Sequence, residues 1–199
     1  MKKWLIPVIV LGVIGLGLYT WAKNFNNTAV TLKETATKTW GDVESSYQRR
    51  NDLIGNLVKT VQGAADFEKS TLEAVIKARS EATKTTIDPA NITPEDLAAF
   101  NQAQSGLSSA LSRLLVTVER YPDLKANQNF LELQSQLEGT ENRINIARDR
   151  FNEAVEPYNK HIKTFPNTLL AGAFGFEDMN YFKAEAGAEI APDVEFDFK

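Results

Sequence analysis

The chain has 199 residues, a net charge of -4, one histidine, no cysteine and 43% hydrophobic residues. The absence of cysteine excludes disulfides, thiolate nucleophiles, cysteine zinc sites and attachment through a lipidated cysteine. Mild acidity argues against a nucleic-acid partner, because phosphate binding needs a basic face, and the length suits one domain with an anchor.

After Met1, Lys2 and Lys3, the segment WLIPVIVLGVIGLGLYTWA at 4–22 carries no charge. As a helix it spans about 28 Å, close to the roughly 30 Å hydrocarbon core of a bilayer. Trp4 at one end and Tyr19 and Trp21 at the other stand where interfacial aromatics belong. Pro7 falls in the first turns, where a missing amide costs least. A cleaved signal peptide has the same basic start, but this run is long for one, and Trp21 occupies the place of a small-residue cleavage site. The segment reads as a retained transmembrane anchor in the cell (inner) membrane, with the lipid bilayer as its partner. Lys2 and Lys3 against Lys23 slightly favour a cytoplasmic N-terminus, which puts the bulk of the chain on the extracytoplasmic side.

Residues 23–27 read as a polar hinge. From about Thr28 a three-four spacing runs through Ala36, Trp40, Val43, Tyr47, Arg50, Ile54, Leu57, Val61, Ala64, Glu68, Thr71 and Val75, which predicts one long helix ending near Thr83. Pro89 and Pro94 then mark a loop. Thr93 before Pro94, with Asp96 three residues on, is a helix start, and Leu97, Phe100, Gln104, Leu107, Leu111, Leu114, Val118 and Tyr121 carry the next helix as far as Pro122. The short connection after it makes the following helix an antiparallel neighbour. That third helix, Ala126 to Phe165, has an unbroken seam of Phe130, Leu133, Leu137, Thr140, Ile144, Ala147, Phe151, Ala154, Tyr158, His161 and Phe165. Pro157 lies inside it and predicts a kink or a break. A short helix is expected near Thr168 to Phe174, and Val194, Phe196 and Phe198 alternate with acids in the manner of a strand. The tail, 177–199, is expected either to lie along the bundle or to await a partner. The fold class is therefore all-α, a transmembrane helix followed by an antiparallel bundle at 28–176 of three long helices, a short C-terminal helix and an extended tail.

Four segments carry a resemblance: YQRRNDLIGNLV at 47–58, ERYPDLKANQNFLELQSQLEGTENRI at 119–144, FPNTLLAGAFGF at 165–176 and YFKAEAGAEIAPDVEF at 181–196. Together they make the chain similar to the bacterial LemA family over nearly its whole length after the anchor. The resemblance implies a single-pass membrane protein with a long antiparallel helical bundle, and it brings no accepted catalytic residues. Gly55 departs from it, since the family pattern implies a proline there.

Chemistry is sparse. A bundle di-iron site needs two Glu-x-x-His pairs, and the one histidine, His161, has Tyr158 three residues before it. No Gly-x-Ser-x-Gly elbow serves a serine triad, and LLAGAFGF lacks the lysine of a phosphate loop. No cofactor, metal or small-molecule substrate is called for, and the chain does not read as an enzyme. The densest polar cluster is Arg49, Arg50, Asn51 and Asp52. It reads either as a solvated face, with Arg50 bonded across the bundle to Glu138 or Glu141, or as a patch for a protein or lipid headgroup. LLAGAFGF, with Phe174 and the following Phe176, either fills the bundle's open end or forms an apolar contact surface for a membrane or another copy. These readings favour a membrane-anchored scaffold or adaptor that forms a homo-oligomer or binds a membrane protein partner. A ligand-binding sensor bundle is the alternative.

Overall fold

The structure is a computed structural model that describes residues 4–63, 67–89 and 91–183. Its elements are α1 (Leu5–Gln62), α2 (Lys69–Lys84), α3 (Pro94–Val118), α4 (Pro122–Lys125), α5 (Gln128–Lys163) and α6 (Thr168–Phe174), and no strand occurs among the described residues. The all-α architecture agrees with the periodicity. The expected strand-like stretch around Val194 to Phe198 lies outside the described residues.

Helix α1 is the spine. Its 58 residues make it about 87 Å long, and it runs without interruption from the apolar segment into the bundle. The hinge expected at 23–27 is instead helical, because Phe25 and Ala29 are already core residues that hold this stretch against the bundle. Helix α5 lies antiparallel along it: His161 meets Phe25, Phe151 meets Trp40 and Glu141 meets Arg50.

The long helix expected over 28–83 is divided. Helix α1 stops at Gln62, and α2 folds back on it so that Arg79 reaches the carbonyl of Asn51 at 2.7 Å. Glu68 and Thr71 were counted into the seam, but Glu68 is solvent-facing and pairs with Arg120 at 2.9 Å, closing the α2–α3 hairpin at its far end. Val75 and Leu72 then pack against the other side of the turn, in one cluster with Leu57 and Val61.

Helix α3 starts as the sequence signals. Thr93 Oγ1 accepts the amide of Asp96 at 3.1 Å, with Pro94 in the first turn. Helix α5 is capped by Asn127, whose side chain accepts from the amides of Asn129 and Phe130. It passes through Pro157 as a single helix, without the expected break. Pro157 and Glu153 are both exposed, so the carbonyl that loses its donor faces water while the opposite face stays packed. The seam of α5 is buried or half-buried from Phe130 to His161, but Phe165 is 75% exposed.

Two cores result. The tip core joins α1, α2, α3 and the start of α5 around Leu57, Leu107 and Leu114. The base core joins α1, α5, the 87–100 region, Ala171 of α6, Met179 and Phe182 around Trp40, Phe151 and Tyr158.

Candidate functional site

Between the two cores lies a polar layer. Along α1 the base core ends at Tyr47 and the tip core begins at Leu53, with Arg50 and Asn51 between them. Along α5 the boundary falls between Leu137 and Ile144, at the buried Thr140. Arg50 is 4% exposed. Its guanidinium donates to Glu141 at 3.0 Å, to Gln104 Oε1 at 2.6 Å and to Ser108 Oγ at 3.4 Å, and it lies over the Tyr47 ring at 5.0 Å. One arginine therefore ties α1 to both α3 and α5. Arg50 Nε and Asn51 Oδ1 are buried without hydrogen-bond partners.

The four polar residues expected to act as one cluster diverge around α1. Arg50 and Asn51 point into the bundle, whereas Arg49 and Asp52 are exposed. Asp52 stands 3.9 Å from Arg79. Of the two carboxylates expected for Arg50, Glu141 takes the bond. Gly55 gives Arg79 its path over α1, since a Cβ there would sit 3.1 Å from the guanidinium carbon.

Beside Arg50, α3 and α5 stand apart and leave an open groove of about 380 Å³. Ile54, Leu111, Leu115 and Leu137 supply its apolar lining, and Gln134, Glu138 and Glu141 its polar edge.

The second feature is the strapped tail, which sequence reasoning left open. From Phe176 to Lys183 the chain lies along the base core. Asn159 pairs twice with Met179, donating to its carbonyl at 2.8 Å and accepting its amide at 2.9 Å. Asn152, seven residues earlier on α5, does the same with Phe182 at 2.9 and 2.8 Å. Each amide side chain stands in for a neighbouring strand, satisfying both backbone groups of one tail residue. Phe182 stacks on Trp40 with ring centroids 5.6 Å apart, and Tyr158 donates to the carbonyl of Glu177 at 2.8 Å. Burial, and then the charges of Asp178 and Glu177, push the Tyr158 pKa above 10.0.

The third feature is the base itself. His161 Nε2 bonds the carbonyl of Phe25 at 3.1 Å, which requires the proton on Nε2, and its ring stacks on Phe25 at 5.0 Å. Asn167 Nδ2 donates to the carbonyl of His161 at 3.1 Å, and Trp21 Nε1 donates to Asn167 Oδ1 at 3.4 Å. His161 is thus a packing residue in this structure. Both aromatics of the apolar run after α5 lie against Phe25, Phe176 half-buried with ring centroids 5.8 Å apart and Phe174 stacked at 6.1 Å while still 48% exposed. Among the described residues no three histidine or acidic side chains converge in a manner that would hold a metal ion.

Comparison with known proteins agrees with this architecture. Magnetosome protein MamQ of Magnetospirillum gryphiswaldense is 30% identical over 188 residues, covering 84% of this chain and 69% of that protein. Magnetosome protein MamQ 1 of Paramagnetospirillum magneticum is 28% identical over 180 residues, covering 82% of this chain. Protein LemA of Metamycoplasma hominis is 23% identical over 152 residues, or 76% of this chain. The match spans 66% of the length of each of the last two relatives. The family model for the LemA family matches residues 39–196, which takes in the polar layer, both tail-binding asparagines and α6. A chain with this helical architecture and that extent of match belongs to the LemA family.

Proposed function

We propose that this protein is a non-enzymatic, membrane-anchored helical scaffold or adaptor, acting by self-assembly or by binding a partner at the membrane. The observation that carries this reading is α1, a single helix that includes an 18-residue window of mean hydropathy 2.1 with no buried residue and then becomes the spine of the bundle. Such a helix holds the bundle at the membrane and presents the faces of α3 and α5 away from it. The relatives named magnetosome protein MamQ are named for a cellular body rather than for a reaction, which favours this reading. The test is cross-linking of the full-length, C-terminally tagged chain in its own membrane, with mass analysis and protease access from each side. A discrete ladder of self-products, or one defined foreign product, is the expected result. Strict monomer with no cross-linked partner would sink the reading, and protease access would show whether the bundle is extracytoplasmic.

The groove between α3 and α5 favours a second reading, a ligand-binding sensor. Its apolar lining and the carboxylates of Glu138 and Glu141 on its edge suit a cationic or neutral amphiphile rather than an anion. A rise in thermal stability on adding such a compound, lost in a Leu137→Gln variant, would favour this reading over the scaffold.

A further inference from the structure

The base of the bundle carries an apolar surface that the anchoring reading does not use. Phe165 is 75% exposed, Leu169 64% and Phe174 48%, all within ten residues of chain. They are not leftovers of poor packing, because the same segment also buries residues: Ala171 enters the base core, and Leu170 and Phe176 pack against it. The segment thus has an inner face committed to α1 and α5 and an outer face of Phe165 and Leu169, with Phe174 at its edge, stacked on Phe25 on one side and open on the other. Gly175, at φ 72°, turns the chain back after α6, so that Phe176 returns to the core beside Phe25.

The height of this surface is fixed by one bond. Asn167 lies between Phe165 and Leu169 in the chain and accepts from the indole of Trp21. Trp21 is the interfacial aromatic at the end of the apolar run 4–22. The exposed side chains therefore flank a residue bonded to the very side chain that marks where α1 leaves the hydrocarbon. Three lysines surround this level, all exposed: Lys23 just after the apolar run, and Lys160 and Lys163 in the last turn of α5. Lys163 is paired with Asp178 at 2.6 Å, whereas among the described residues no carboxylate pairs with Lys23 or Lys160. Large apolar side chains at interfacial depth with cations around them match the composition of a monotopic lipid contact.

We propose that the 165–174 segment is a second membrane attachment, in which Phe165 and Leu169, with the open edge of Phe174, enter the headgroup and acyl boundary of the bilayer beside the point where α1 crosses it. The occupant of this apolar face is lipid, because the Trp21–Asn167 bond and the stacking of Phe174 on Phe25 hold the face beside the end of the apolar run of α1. With two attachments, α1 and α6, the bundle is held against tilting and against rotation about α1. The proposal rests on the reading that residues 4–22 lie in a bilayer.

The absence of cysteine makes the test free of background. Single variants Phe165→Cys, Leu169→Cys, Ile14→Cys and Val116→Cys of the full-length chain are nitroxide-labelled and reconstituted in vesicles of three parts phosphatidylcholine to one part phosphatidylglycerol. Collision rates are then measured with oxygen, which concentrates in lipid, and with a water-soluble nickel chelate. Ile14 reports the apolar run, and Val116, 71% exposed on α3 far from the base, reports an apolar position in water. The expected result is an oxygen-to-nickel ratio at 165 and 169 several-fold above that at 116 and below that at 14. Ratios at 165 and 169 equal to that at 116 would overturn the proposal while leaving the anchor intact. Low access to both reagents with dipolar broadening would overturn it in favour of a second copy on this face. A water-like ratio at 14 would instead remove the anchoring reading on which the proposal stands.

Discussion

Arg50 occupies a seam position where the neighbouring positions are Tyr47 and Ile54, and its burial is tolerated because three oxygen acceptors and one aromatic face meet its guanidinium. Removing it takes the donor from the buried Gln104 Oε1 and opens a void between the two cores. Arg50→Ala should lower unfolding free energy by about 3 kcal/mol, measured by denaturant titration of the full-length protein in detergent. Glu141 is half-exposed, so Glu141→Gln keeps a hydrogen bond, loses a screened charge and should cost about 1 kcal/mol or less. Equal losses for the two variants would mean that the ion pair, rather than the buried layer, carries the stability. The bond to Glu141 was legible from the three-four spacing, which puts a seam arginine opposite a carboxylate on the facing helix. The bond to Gln104 was not, since Gln104 itself sits on a seam and only the folded register shows the two side chains sharing one level.

Asn152 and Asn159 were missed for a different reason. They lie one heptad apart beside the seam, but their partners are backbone atoms of Met179 and Phe182, and backbone atoms leave no trace in a sequence. Asn159→Ala would leave a buried amide and carbonyl of Met179 without partners, at a cost of about 1–3 kcal/mol. Loss of hydrogen-exchange protection at the Met179 amide, with the α1–α5 amides unchanged, would show that the effect is confined to the strap. Tyr158 adds a pH dependence to the same strap. Its folded pKa is raised above 10.0, so above that pH the unfolded chain gives up its proton first. The native state then holds more protons than the unfolded one, and stability falls as pH rises from 10.0 toward the folded value. The loss should be absent in Tyr158→Phe, compared by thermal unfolding on either side of that pH.

Among the elements, α5 shows that helix-breaking residues act by where they face. Pro157 does not break α5 because its face is solvated, whereas α1 ends at Gln62 although the apolar spacing counts straight on. Spacing arguments weight every seam position alike. Here the weak ones, Ala64, Glu68 and Thr71, were the sign of a turn: Glu68 and Thr71 are not buried in the fold, and Ala64 lies outside the described residues. The start of α3 and the extent of α6 were readable because capping and turn chemistry are local. Pro157→Ala restores a donor to the Glu153 carbonyl and should raise stability, by up to about 3 kcal/mol, seen as a higher denaturant midpoint at unchanged slope. An unchanged midpoint would mean that the α1 contact already sets the geometry of this turn.

For the whole molecule, the division of labour follows from the order of the helices. The α2–α3 hairpin covers the tip half of the α1–α5 pair, and only the first turns of α3, through Leu97 and Phe100, reach the base core. The rest of the base is covered by Ile87 and Ile92 before α3, the tail strap and α6, pieces with little helical periodicity of their own. That is why the seam residues of the base, Trp40, Phe100, Phe151 and Tyr158, were legible in apolar spacing and the pieces that cover them were not.

Since α1 carries no joint between residue 5 and residue 62, the distance from bilayer to tip is set by residue count. One residue inserted between the apolar run and Arg50 would lift everything beyond it by about 1.5 Å and swing it by about 100°, taking Arg50 away from Gln104 and Glu141. Seven residues inserted at one level in both α1 and α5 would add about 10 Å and return each helix nearly to its original face. Length variation in this rod is thus admissible in whole heptads added to both helices together, a rule that ties the chain's permitted insertions to its reach above the membrane.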